Sequence, residues 1–297
     1  MNTIVNFLNE FKIEFNCNYD TSKLSHIKAG GRCCYLAFPV CGLQLVEIVR
    51  YCVRYCIRFL IIGAFSNTLI ADEGFDGIII STSRIRSYTL SENSISVDCG
   101  AYFRNVNRAL INSNKVLLTE LHGIPGTIGG MVRNNAGAFG KSISDIFIKG
   151  SVYDIAQDRT LDLNFNEMGF SYRKSFITSG NYVLLNAVLR VEELQSNKSK
   201  LEIEYYRKLR IEKQPTEPSL GSFFKRDGNV IPAKIIDELG LKGLSVGGAS
   251  VSHKHSGFII NKGNASAENI STLAKMIEDK VYSERNIILK REAEIIH

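Results

Sequence analysis

Four short stretches carry residue types that can do chemistry. GSFFKR at 221–226 sets Ser222 on a glycine-bearing loop behind Pro215 and Pro218, which stiffen its approach. A hydroxyl held there can give up a proton or act as a nucleophile. SYRKS at 171–175 offers Arg173, whose planar guanidinium suits carboxylates and phosphates. LKREAEIIH places Glu292 and Glu294 among apolar residues, on one face if the segment is a strand. GIPGTIGGMVRNNAGAFG at 123–140 holds six glycines and a single charge, Arg133. Each has an ordinary alternative: a loop serine, a surface arginine, a solvated strand edge, a run of tight turns. No GxSxG surrounds Ser222 and no base is identifiable beside it, which disfavours a hydrolase triad.

The glycines decide more. Turns commonly need one or two, whereas GIPGTIGG has four in eight residues. Main chain lying against a flat or phosphorylated cofactor explains the excess better, because glycine admits close approach. IGAFSN at 62–67 follows a strand-like run and supplies Ser66 and Asn67 as further donors. NAGAFGKS at 135–142 imitates a phosphate-binding P-loop, but Asn135 stands where that motif needs its first glycine. Neither segment fits GxGxxG opening a helix, so a Rossmann fold is not indicated.

The elements that must position these residues are mixed. Apolar residues at 45, 48, 49, 52, 53 and 56 give residues 42–56 a helical stripe, and 103–114 repeats the period at Val106, Leu110 and Ile111. FLIIG (59–63), GIIIS (77–81), SISVDCG (94–100), 147–156 and 181–192 read as strands. A helix is expected from Pro232 to Gly240, and a longer one from Ala267 with apolar residues at 270, 273, 277 and 281. The polar run SNKSK at 196–200 marks a change of composition. Without strict βαβ alternation, the order argues α+β with more than one sheet.

Composition sets the outer limits. The 297 residues are 44% hydrophobic and 22% charged, an ordinary globular balance for two or three domains. A net charge of +6 spread along the chain selects no partner class, and no nucleic-acid partner is expected. No run of 18 apolar residues exists and the N-terminus does not read as a signal peptide, so no membrane span is expected. Seven cysteines, an odd number without extracellular context, argue for reduced thiols. Five histidines without HExxH give no metal site.

Taken together, these stretches resemble the UDP-N-acetylenolpyruvoylglucosamine reductase (MurB) family of peptidoglycan synthesis, in its shorter type without an extra tyrosine-bearing loop. The carriers, in order, are SKLSHIKAGGRCCYLAFP, IIGAFSNTLIADEGFDGIII, ELHGIPGTIGGMVRNNAGAFG, SYRKSFI, KQPTEPSLGSFFKR, LGLKGLSVGGASVSHKHSGFIINKGNASAENI and REAEII. The resemblance implies an α+β, FAD-binding fold of the vanillyl-alcohol-oxidase type: FAD subdomains at 1–80 and 81–198, and a substrate domain at 199–297. It implies a cytoplasmic monomer that takes hydride from NADPH and delivers it to the enolpyruvyl group of UDP-N-acetylglucosamine-enolpyruvate. By position, Arg173 and Glu292 would stabilise charge on the substrate and Ser222 would protonate it. FAD would be held by Gly63, Ser66 and Asn67 and by Gly123, Ile124, Pro125, Gly126, Thr127, Gly129, Gly130, Asn135, Ala136 and Gly137. Lys225 and Arg226 would face the uridine diphosphate, while His255 and Asn261 would be structural.

The chain departs from the family in its first loop, GAFSN where GGGSN is usual, with Ala64 and Phe65 at glycine positions. A Cβ there restricts φ > 0. The chain also ends five residues after Glu292, leaving little beyond it to anchor that strand. Another FAD oxidoreductase of the same superfamily, or a nucleotide-sugar binder that has lost FAD, are the competing readings.

Overall fold

In the computed structural model, which describes residues 3–194 and 196–297, the chain forms two compact units, each discontinuous in sequence. The first comprises residues up to Asn16, Tyr35–Ala64 and Gly77–Lys208; the second comprises Cys17–Cys34, Phe65–Asp76 and Leu209–His297.

The first unit is built on an antiparallel sheet in the order Arg159–Asn164, Phe147–Asp154, Tyr182–Arg190, Ser94–Asp98, Tyr88–Leu90. The expected strands at 94, 147 and 181 are its centre. The helix Gly42–Arg54 buries Leu45, Val46, Ile48, Val49, Tyr51 and Cys52; four positions of the expected stripe are on the packed face, whereas Val53 is 49% exposed and Cys56 is exposed beyond the helix end. The strand Phe59–Ile62 runs parallel to Phe75–Ser81, with Phe59 opposite Ile78 and Ile62 opposite Ser81. Ile78, Ile79 and Ile80 are all fully buried, as an apolar run without alternation requires when both faces are covered. The helix Phe103–Ile111 is shorter than the expected 103–114, because Asn112–Asn114 form a turn that ends with Asn114 at φ 55°.

The second unit has a four-stranded antiparallel sheet, ordered Ser219–Ser222, Phe258–Asn261, Ala249–Val251, Ser245–Val246. The helix Ala267–Arg285 buries Ile270, Leu273, Ile277 and Val281, the four expected positions. Its start is fixed twice. Ser266 and Asn269 form a capping box, and the Asp72 carboxylate accepts the Ala267 and Glu268 N–H groups at 2.8 Å each. Asn261 is structural, as the resemblance implies: its amide donates to the Ile27 and Lys28 carbonyls, and its oxygen accepts from Gly263 and Ala265.

Two elements differ from expectation. The polar run at 196–200 opens a helix, Ser196–Lys213. Its sequence lacks an apolar stripe; exposed pairs such as Glu204–Arg207 support it instead. REAEII is not one strand. Lys290–Arg291 and Glu294–Ile296 are separate strands, and Glu292 lies in the bend between them. Among the described residues no helix is long and apolar enough to cross a membrane, and none of the seven cysteines is joined in a disulfide.

Candidate functional site

In the first unit the glycine-rich segment is laced to the turn after the strand Ser94–Asp98. Gly129 N–H donates to the Cys99 carbonyl at 2.7 Å, Ile128 N–H to Ala101 at 2.9 Å, and Phe103 N–H to Gly126 at 3.1 Å. Cys99 lies fully enclosed behind this turn, and burial pushes its thiol up to about 12, so it stays protonated and takes no part as a nucleophile. Thr127 caps the short helix Ile128–Arg133 and is 1% exposed. Against it lies Gly63, at the end of the strand Phe59–Ile62. A Cβ on Gly63 would fall 2.1 Å from Thr127 Oγ1, and one on Gly129 would fall 3.1 Å from the Cys99 carbonyl. Gly123, at φ 91°, needs the left-handed region glycine enters freely.

The two loops expected to cradle FAD thus meet. Their partly exposed edge consists of Gly63, Ala64, Gly129 and Gly130: main chain with almost no side chain above it. A Cβ on Gly130 would meet nothing closer than Thr127 Oγ1 at 3.6 Å, so chain packing does not demand a glycine there. An uncharged main-chain surface of this kind fits the pyrophosphate and flat ring of a dinucleotide. Ile124 hydrogen-bonds back to Leu121, while Pro125 and Gly123 are exposed on the turn.

The far end of the segment holds the candidate arginine. Asn135, at φ 38°, donates its side-chain amide to the Ser171 carbonyl at 2.9 Å and accepts Ser144 N–H at 3.3 Å. Ala136 bridges Met131 and Ile143 through its main chain. Both terminal nitrogens of Arg173 reach the Gly137 carbonyl at 3.4 Å, and its guanidinium lies 5.4 Å from the Tyr172 ring. Arg173 sits at φ 55°, an uncommon conformation for a long side chain. Arg173 and the glycine-rich segment therefore form one constellation, which sequence spacing alone did not reveal.

In the second unit, Ser222 follows Gly221, at φ 77°, where the pairing between Ser219–Ser222 and Phe258–Asn261 shifts register. Phe223 N–H donates to the Gly257 carbonyl at 2.8 Å, and the Phe223 carbonyl accepts Glu292 N–H at 2.8 Å. Phe224–Lys225 pairs with Lys290–Arg291. Arg291 in turn makes a two-pronged contact with Glu278, at 2.6 and 3.0 Å. Ser222 and Glu292 are brought to one strand junction. Lys225 is half-buried on that ladder, and Arg226 is exposed just beyond it. His255 supports the same junction by accepting Gly257 N–H on Nδ1 at 3.1 Å; burial, with Lys242 and Arg226 adding repulsion, holds its pKa below the usual range.

Ser66 and Asn67 also belong to this unit. Asn67 donates its amide to the Glu292 carbonyl at 2.9 Å, and its own carbonyl accepts Glu294 N–H at 2.9 Å. Glu294–Ile296 then runs parallel to Thr68–Ile70. Few as they are, the residues after Glu292 are anchored. These ties were missed in sequence because they run through main-chain groups, which every residue carries.

The unusual first loop is accommodated without glycine. Ala64 keeps an ordinary φ, whereas Phe65 takes φ 54° with its ring only 4% exposed. The left-handed region costs a non-glycine residue about 1 kcal/mol, while truncating a buried phenylalanine costs about 3–5 kcal/mol. Phe65→Gly is therefore expected to lower stability by about 2–4 kcal/mol, measured by denaturant unfolding of the FAD-free protein. A gain in stability would show that φ strain outweighs burial.

Comparison with known proteins agrees with this arrangement. A family model described as an FAD binding domain matches residues 35–163, and one described as the C-terminal domain of UDP-N-acetylenolpyruvoylglucosamine reductase matches 214–296. The chain is 36% identical over 293 residues to the UDP-N-acetylenolpyruvoylglucosamine reductase of Caldicellulosiruptor bescii, covering 98% of this chain and 93% of that one. It is 34% identical to the Clostridium novyi reductase, covering 96% and 93%. The crystal structure of UDP-N-acetylenolpyruvylglucosamine reductase (MurB) from Thermus caldophilus superposes with a TM-score of 0.81 at 25% identity, over 96% of this chain and 99% of that one. The α+β, FAD-binding architecture expected from sequence is the one these matches share. Matches that run nearly the length of both chains at such identity settle its place: the chain is a member of the UDP-N-acetylenolpyruvoylglucosamine reductase (MurB) family, FAD-binding oxidoreductases.

Proposed function

We propose that this protein reduces the enolpyruvyl group of UDP-N-acetylglucosamine-enolpyruvate to give UDP-N-acetylmuramate, with NADPH as the hydride source, as a cytoplasmic monomer. FAD, when bound, supplies two-electron hydride chemistry. The main-chain edge of Gly63, Gly129 and Gly130 holds the dinucleotide, with Ser66 and Asn67 completing the first loop. Residues 1–80 and 81–198 serve FAD, and 199–297 serve the sugar nucleotide.

Arg173 clamps the substrate carboxylate, on which negative charge grows as hydride reaches the β-carbon. A bidentate guanidinium is suited to that anion and lowers the barrier where charge develops. Glu292 acts through a shared proton, since a bare carboxylate there would repel the growing charge. Ser222 gives its hydroxyl proton to the α-carbon and recovers one from solvent. A hydroxyl is a weak acid in water, but fixed geometry makes it competent against a strongly basic carbanion. Lys225 and Arg226 offer positive charge to the diphosphate.

The observation that most supports this reading is the junction at which the Phe223 carbonyl, one residue past Ser222, accepts Glu292 N–H. The test is a product assay by mass spectrometry. The purified protein with NADPH is expected to convert the enolpyruvyl sugar nucleotide to a product heavier by two hydrogens. Binding of the sugar nucleotide with neither FAD uptake nor product would return the protein to a non-catalytic binder.

A further inference from the structure

We propose that Asn67 is a positioning residue for Glu292, so that the first cofactor loop itself aims the acid of the site. The inference rests on the function proposed above.

Both polar ends of Asn67 that the structure engages hold the segment around Glu292. The side-chain amide donates to the Glu292 carbonyl at 2.9 Å, and the main-chain carbonyl accepts Glu294 N–H at 2.9 Å. Only the NH₂ end of an asparagine can donate, so the carbonyl it faces fixes its orientation. The N–H of the same Glu292 is held from the other direction by the Phe223 carbonyl at 2.8 Å. Glu292 is thus gripped by the cofactor loop on one hydrogen bond and by the residue following Ser222 on another.

Regular pairing does not do this work. Before the bend, Arg291 pairs with Phe224; after it, Glu294 pairs with Thr68. Glu292 and Ala293 fall between those two ladders, where no strand partner fixes the backbone. The Asn67 amide is the side-chain tie that the structure gives to the main chain of this bend. Losing it removes the tie on the Glu292 carbonyl while the Phe223 carbonyl and the Asn67 main chain still hold the N–H groups of Glu292 and Glu294, and a shift of about 1 Å at a reacting group costs about 10²-fold in rate. The amide has a second hydrogen for another acceptor, so the alternative is that Asn67 chiefly serves FAD.

The experiment compares wild type, Asn67→Ala and Asn67→Asp, the latter similar in shape but without the donor. Three readouts are taken: FAD bound per chain from the visible spectrum, the two half-reactions followed separately without oxygen, and hydrogen exchange of the C-terminal peptide. With FAD supplied in excess, both variants are expected to be slowed less in reduction by NADPH than in the second half-reaction. Re-oxidation by the enolpyruvyl sugar nucleotide is expected to slow about 10–100-fold, the range that misplacement of a reacting group produces. Exchange at 292–294 is expected to rise at least about tenfold as the tie is lost. Equal slowing of both half-reactions, a re-oxidation defect that excess FAD restores, or unchanged exchange each overturn the proposal. Exchange reads the tie whether or not turnover occurs. A wild type that is reduced by NADPH but never re-oxidised sinks the proposed function instead.

Discussion

Ser222→Ala is expected to slow re-oxidation of the reduced protein by the enolpyruvyl sugar nucleotide about 10²–10⁴-fold, the range for loss of a positioned proton donor. Reduction by NADPH should stay within about twofold of wild type, because that half-reaction asks nothing of this hydroxyl. The prediction is sharp because the substitution is structurally mild. Ser222 is half-buried, and the bonds that shape its junction come from the Phe223 main chain. Removing one oxygen leaves them in place, so stability should change by no more than about 0.5 kcal/mol. Stopped-flow absorbance, one half-reaction at a time, separates the effects. If re-oxidation proceeds at the wild-type rate, another group protonates the α-carbon.

The second large effect is expected at Gly63. In Gly63→Ala the new Cβ would stand 2.1 Å from Thr127 Oγ1 and within 3.3 Å of both carbons of that side chain. Thr127 has nowhere to go: it is 1% exposed, and its hydroxyl accepts Gly130 N–H at the start of the helix Ile128–Arg133. Turning the hydroxyl away sacrifices a cap worth about 1 kcal/mol, and forcing a methyl group into a packed contact costs about 1–3 kcal/mol. The strain is relieved by separating the two loops, which are the ones that form the main-chain cradle. FAD affinity is therefore expected to fall at least about 10²-fold, the equivalent of about 2.8 kcal/mol at a tenfold per about 1.4 kcal/mol. Adding Thr127→Gly to the same chain removes the obstructing hydroxyl, while glycine at a cap costs only a few tenths of a kcal/mol. The double variant should recover most of the affinity in a fluorescence titration. Wild-type affinity in Gly63→Ala alone would mean the cradle lies elsewhere.

Much of the fold was written in periodicity. The stripe positions 45, 48, 49 and 52, the run FLII and the buried positions 270, 273, 277 and 281 appear in the elements their patterns imply, since burial is what selects such patterns. The helix Ser196–Lys213 was not legible, because its charged residues pair along its surface rather than marking an apolar face. Phe65 shows a different limit. Its φ of 54° contradicts local preference, and only a tertiary environment that buries the ring supports it.

The site divides in the same way. The glycine excess pointed to a close-approach surface for a cofactor; the structure shows that Gly63 lies too near Thr127 to carry a Cβ. What sequence withheld is how the candidate chemical groups are held. Arg173 is fastened to the Gly137 carbonyl and Glu292 to Asn67 and Phe223, in every case through a peptide group that no residue type announces. The bend at Glu292 was equally hidden. Alternation in REAEII suits a strand, and the break comes from two different partners, Phe224–Lys225 and Thr68–Ile70, claiming its two ends.

One measurement tests the central claim most directly: the visible spectrum of the purified protein under anaerobic conditions. A yellow protein is expected, whose flavin bands bleach on addition of NADPH and return in full when UDP-N-acetylglucosamine-enolpyruvate is added. A protein that stays colourless when supplied with FAD, or one whose bleached bands do not return with that substrate, would contradict the account.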